Sequence, residues 1–200
     1  MSKKVLLLLV PAFLAAALVV ACGSSDESTS AGNEADAAFV ADMVPHHEGA
    51  VVMARMAQER AENPELKALA DEIIVAQEKE IAEMESIKAD LPETNGGTEH
   101  SMGEEHMGHM GMDAEGMGMD MDPAELENAE SFDIAFIDMM IPHHEGAVEM
   151  AEQLLEEGEN PELQTMAKAI IASQTAEIAQ MRNWRAQWIT EGASTGGTQG

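Results

Sequence analysis

The sequence predicts an all-α protein: a four-helix bundle made of two duplicated helical hairpins, joined by a Met/His-rich linker expected to be disordered. Three observations carry this. An ungapped offset of 97 residues aligns Phe39–Met84 with Phe136–Met181, an internal duplication. Apolar residues recur at helical spacing within each copy, and no alternating strand pattern competes.

In chain order, residues 1–21 stand outside the fold. Lys3 and Lys4 precede an apolar run from Val5 to Val20, interrupted only by Pro11, and Val19-Val20-Ala21-Cys22 matches a lipoprotein cleavage box. The pattern reads as a bacterial lipoprotein signal with Cys22 as the lipid-bearing residue; an ordinary secretory signal or an uncleaved anchor is the alternative. Cys22 is the single cysteine, so no internal disulfide is available. Residues 22–34, rich in Ser, Gly and acid, read as a flexible tether.

The first repeat spans residues 35–91. Its first helix, about 35–61, carries Phe39, Met43, His46/His47, Ala50, Met53/Ala54 and Ala57 at helical spacing. Asn63 is then a good N-cap and Pro64 a good first-turn residue, where a missing N–H costs nothing. The second helix runs to about Ala89, with Leu66, Leu69/Ala70, Ile73, Gln77, Glu80/Ile81, Met84 and Ile87 on one stripe. Pro45, and Pro142 in the second copy, fall inside helices, where a proline costs ~3 kcal/mol. The apolar spacing runs through both, so a kinked continuous helix is expected over a fresh helix start.

Residues 92–130 form the predicted acidic linker. Within it, residues 100–122 hold His100, His106 and His109 with Met102, Met107, Met110, Met112, Met117, Met119 and Met121, separated by Gly and acid. Such a segment cannot bury a core. Its thioethers and imidazoles suit a soft cation, Cu(I) or Ag(I), while imidazole with carboxylate suits Cu(II); inert low-complexity sequence is the alternative. The second repeat, 131–191, has a helix from about Ser131, or from Pro123, to Gly158 and another from Pro161 to about Thr190; residues 192–200 read as a disordered tail.

One segment is written twice: Met43-Val44-Pro45-His46-His47-Glu48-Gly49-Ala50-Val51 and Met140-Ile141-Pro142-His143-His144-Glu145-Gly146-Ala147-Val148. With the first turn near Glu62-Asn63, facing residues of the antiparallel helices have numbers adding to about 125. His46 then falls level with Lys79-Glu80, His47 with Gln77-Glu78, and Met43 near Met84. So Met43, His46, His47, Gln77, Glu80 and Met84 converge in one layer, as do Met140, His143, His144, Gln174, Glu177 and Met181 in the second copy. Burying imidazoles and a carboxylate without partners is costly. Either a metal or a self-satisfied hydrogen-bonded network accounts for the layer. In the first case one histidine of each pair binds the ion while the other meets the carboxylate, with Gln77, Glu80, Gln174 and Glu177 supporting the ligands. Glu48 and Glu145 fall away from the stripe and read as surface.

A formal charge of −28 argues against nucleic acid, whose phosphates need Lys and Arg. The 17 methionines supply either core filler or soft ligands.

The pattern Phe-x3-Met-[Val/Ile]-Pro-His-His-Glu-Gly-Ala-Val-x-Met-Ala, followed by Asn-Pro-Glu-Leu, Ile-Ile, Gln-x2-Glu-Ile and Met, resembles the bacterial domain-of-unknown-function family numbered 305 across both repeats. The resemblance implies a ferritin-like helical bundle, commonly secreted or lipid-anchored, with some members copper-binding proteins of the CopM type. It carries the motif onto Met43, His46, His47, Met53 and Met84, and onto Met140, His143, His144, Met150 and Met181. The Met/His insert lies outside the family pattern.

The function expected is an envelope lipoprotein, facing the periplasm or exterior and anchored through Cys22. It would bind copper, with Cu(I) favoured and Ag(I) an analogue, for sequestration, buffering or transfer to or from a copper donor or acceptor protein. No catalytic step is required. Two alternatives stand beside it. One is a ferritin-like metal oxidase, although Gln77-x-x-Glu80 and Gln174-x-x-Glu177 replace the Glu-x-x-His pairs of di-iron bundles. The other is a metal-free interaction bundle with a His/Gln/Glu core.

Overall fold

The computed structural model describes residues 32–93 and 123–195. Among them are α1 (Glu34–Arg60), α2 (Pro64–Lys88), a short α3 (Pro123–Glu127), α4 (Phe132–Glu157) and α5 (Pro161–Thr195), with no strand. The signal segment with Cys22, most of the tether and the insert with His100, Met102, His106, Met107, His109, Met110 and Met112 lie outside the described residues.

Each repeat forms the expected antiparallel hairpin. Pro45 and Pro142 sit inside continuous helices rather than at fresh starts. Asn33 caps α1 through a capping box: its side chain accepts from Asp36 N–H, and the Asp36 carboxylate accepts from Asn33 N–H. Asn160 caps α5 by accepting from the N–H groups of Glu162 and Leu163. Asn63 occupies the expected cap position of α2, but its side chain makes no cap bond. Its amide instead donates to Asp133 at 2.7 Å, which turns it toward the other hairpin.

That bond belongs to a lock between the repeats. Asp133 also accepts from the N–H groups of Glu62 and Asn63, at the entry of α2. Its counterpart 97 positions earlier, Asp36, accepts from the N–H groups of Glu159 and Asn160, at the entry of α5. Each hairpin thus supplies a carboxylate to the open N–H groups of the other's turn, where the helix dipole also favours negative charge. Gly158 makes room for this: a Cβ there would lie 2.7 Å from an Asp36 oxygen. The pairing brings the start of α1 to the end of α4 and the reverse, so these helices run antiparallel. They also form the main close backbone contact between the hairpins.

Two ends of the sequence reading need correction. The linker does not run unstructured to residue 130. Pro123 opens α3, whose Leu126 is fully buried, and Arg60 donates to the carbonyls of Leu126 and Glu127 while lying over the Phe132 ring. The last helix does not stop near Thr190 but continues to Thr195. Glycine at 192 costs a helix only ~1 kcal/mol, and the stacked Trp184–Trp188 pair anchors the preceding turns on the core.

The core divides into two clusters of buried residues. One joins Phe39, Met43 and Met84 of the first repeat to Met150, Leu154 and Leu163 of the second. The other joins Met53, Leu66 and Ile73 to Phe136, Met140 and Met181. Both cross the boundary between the hairpins, so neither repeat owns a complete core.

Candidate metal centre

The doubled His-His segments lie at the middle of α1 and α4, where the two helices cross. All four imidazoles are buried. Within each pair the rings differ in role. His47 Nε2 lies 2.7 Å from Glu80 Oε2, and His144 Nε2 lies 2.6 Å from Glu177 Oε2. An ionised carboxylate only accepts, so Nε2 is the donor in each of these bonds. The other ring nitrogen, Nδ1, is buried and without a hydrogen-bond partner in both rings, as it also is in His143.

His46 and His143 do something else. Their rings meet across the hairpin boundary, with centroids 3.7 Å apart and planes tilted by 37°. His143 Nε2 lies 3.5 Å from where a Cβ on Gly49 would stand, an ordinary van der Waals distance that places the ring against α1. Burial holds the His143 imidazole well below its ordinary range, and the neighbouring His46, His144 and His47 push it the same way, against a hydrogen bond to the His46 backbone.

The carboxylate partner is therefore His47 rather than His46, two residues from the register that the turn position suggests. His47 and Glu80 have numbers adding to 127, not 125. Helical side chains lean toward their own N-terminus, so each covers the level about one residue earlier, and in an antiparallel pair the two offsets add. Met43 and Met84 add to the same value and share a core cluster. Gln77 and Gln174 are buried as expected, but each amide oxygen lacks a partner.

Met43, Met53, Met84, Met140, Met150 and Met181 are buried to 2% exposure or less, and the structure sorts them across the repeats. Met150 joins Met43 and Met84, while Met53 joins Met140 and Met181. Met43 stands one turn before His47, and Met84 one turn after Glu80. The same holds for Met140 with His144 and Met181 with Glu177. One cluster thus holds the thioethers of Met43, Met84, Met150 and Met166, and the other those of Met53, Met140 and Met181.

Among the described residues, no group of three or more His, Cys, Asp or Glu is placed to hold a metal ion. A hard, carboxylate-rich centre of the di-iron type has no donor set there. What the site offers is thioether sulfur together with imidazole nitrogen, donors that suit soft cations. No described helix is long and apolar enough to cross a membrane.

The family model described as "Domain of unknown function (DUF305)" matches residues 36–185. The solved structure of CopM in its Cu(II)-bound form is 39% identical with a TM-score of 0.62, covering 76% of this chain and 97% of that one. CopM in its Cu(I)-bound form is 38% identical with a TM-score of 0.59, covering 76% and 96%. A DUF305 fragment from Deinococcus radiodurans is 27% identical with a TM-score of 0.59, covering 76% and 96%. The uncharacterized protein L153 of Acanthamoeba polyphaga mimivirus is 40% identical over 52 residues, so the chain spans 34% of the length of that curated relative.

Proposed function

The chain belongs to the DUF305 family, and from that membership we propose that it binds copper as Cu(I), with Ag(I) as an analogue, at two related centres inside the bundle. One centre is built from Nδ1 of His47 with the thioethers of Met43, Met84 and Met150. The other uses Nδ1 of His144 with Met140, Met181 and Met53. Glu80 and Glu177 fix the tautomer and orientation of the two imidazoles, and His46 and His143 hold the crossing between the centres. The observation that carries this reading is the buried Nδ1 of His47 and of His144, each without a partner while its ring is held by a carboxylate. A carboxylate–histidine arrangement of this kind sets a ring nitrogen toward a metal. The Cu(I)-, Cu(II)- and Ag-bound forms of CopM support copper as the ion.

Around this centre we place the protein in the cell envelope, held by a lipid on Cys22, where it sequesters, buffers or passes on copper to a protein acceptor. The segment 100–121 adds further Met and His ligands. The test is to load the full protein with copper under reducing conditions and count bound ions. Replacing His47 and His144 by Gln should remove one group of ions, and deleting residues 100–121 another. Wild-type stoichiometry after both changes would sink the proposal.

A further inference from the structure

The duplication is not exact on the outer seam of the α1–α4 crossing, and the departure has a chemistry. Gly49 and Gly146 are counterparts 97 positions apart, and Gly49 lies at the crossing against His143. Seven residues after Gly49 stands Met56; seven residues before Gly146 stands Met139. Seven residues are about two helical turns, so each returns to the seam of its glycine. Because α1 and α4 run antiparallel, the two steps lead to the same end of the groove, where Met56 and Met139 pack against the same core cluster. At the other end of the seam the corresponding positions are Asp42 and Gln153. The thioether pair is therefore present once, not twice.

Met56 and Met139 also differ from the six methionines of the proposed centres in exposure. Both are half-buried, and both pack against the cluster that contains Met53 and Met140. Met53 lies one turn from Met56 on the same helix face, and Met140 directly follows Met139. The partly buried residues against the other cluster are Val44, Ile87, Leu91, Leu155 and Ile171, which offer no donor atom; its fourth methionine, Met166, is buried within it.

We propose that Met56 and Met139 form a third, solvent-facing site for a soft monovalent cation, placed over the buried Met53. This makes the two centres unequal: the one with Met53, Met140 and Met181 has a thioether entrance, and the one with Met43, Met84 and Met150 does not. The inference rests on the soft-metal reading above.

Silver is the probe, because Ag(I) needs no reductant. The full metal-free protein is exposed to dilute hydrogen peroxide, with and without Ag(I), and sulfoxide formation at each methionine is followed by peptide mass spectrometry. Without silver, Met56 and Met139 should oxidise at least several-fold faster than Met53 and Met140. With silver, both should be protected together, at the same metal-to-protein ratio. Equilibrium dialysis should show that the M56L/M139L double variant, a volume-conserving change, binds one silver ion fewer than wild type. Unchanged oxidation of the pair while dialysis shows silver bound overturns this site alone, as does protection of one partner without the other. Absence of any bound silver in wild type overturns the copper reading along with it. The peroxide result on wild type stands whether or not the double variant folds.

Discussion

At the residue scale, the four histidines divide into two working pairs although the sequence writes them identically. His47 and His144 depend on their carboxylates. Glu80→Gln with Glu177→Gln keeps an acceptor in place but removes the charge that orients and enriches the imidazole. Affinity for Cu(I), read by competition with a chelator, should fall ~10–100-fold, as is usual when such a partner is altered. Thermal unfolding of the metal-free variant should stay close to wild type; a large drop there with unchanged copper affinity would make the pair a packing device. His143 makes a different prediction, about acid. Its folded-state value lies below its ordinary 6.5, so the unfolded chain takes up the proton more readily. The contribution is complete above about pH 6.5 and shrinks as pH falls toward the folded-state value. Urea unfolding of the metal-free protein should therefore show stability falling between pH 7 and 5, and His143→Gln should flatten that slope. An unchanged slope refutes the assignment. The sequence made the polar layer legible because each member recurs at a fixed offset. It left open which histidine met which carboxylate, since that turns on a side-chain lean of about one residue.

At the element scale, the hairpins were legible and their docking was not. Period, proline and asparagine positions mark each helix locally, so α1, α2 and α4 differ from expectation by a residue or so at their ends. The lock between hairpins rests on Asp36 and Asp133, which recur at the 97-residue offset but share that property with exposed pairs such as Glu48 and Glu145, so recurrence does not mark their role. Their role exists only once the opposite turn is in place. The sorting of Met150 with Met43 and of Met53 with Met140 was hidden for the same reason: alignment of repeats pairs equivalents, whereas packing pairs neighbours. The lock carries a clear prediction. Asp36→Ala leaves the N–H groups of Glu159 and Asn160 without their acceptor, and Asp133→Ala does the same to Glu62 and Asn63. Each should cost about 2–4 kcal/mol in denaturant unfolding, the range for buried donors losing a charged acceptor. The two costs should add, because the sites are at opposite ends of α1 and share no partner. Asp36→Asn, which retains one acceptor oxygen, should cost less than Asp36→Ala. A cost below about 0.5 kcal/mol for both alanine variants would show that the hairpins dock without these bonds.

At the scale of the whole molecule, several interactions that close the core join one repeat to the other. The His46–His143 ring contact, the two carboxylate locks and both Met-rich clusters all span the boundary. A single hairpin then lacks half of each core, and as a monomer it exposes buried apolar faces and the open N–H groups of its own turn. The contacts are also arranged about an approximate twofold axis, so each surface is nearly complementary to its own copy. Asp36 binds the turn at Glu159-Asn160, and the equivalent turn of the first repeat is Glu62-Asn63, whose N–H groups already suit an aspartate. His46 packs against His143, and a second His46 would occupy that place. An isolated first hairpin, residues 32–93, should accordingly be unfolded when dilute and fold as a symmetric dimer at higher concentration, as isologous interfaces allow. Circular dichroism across a concentration series, with sedimentation at each point, measures this directly. Helix content should rise with the dimer fraction, and Asp36→Ala should shift the midpoint to higher concentration, because it removes both locks of the dimer at once. Helix content that is high and independent of concentration would mean that each hairpin is a self-sufficient fold, and the cross-boundary bonds would then be consequences of docking rather than its cause.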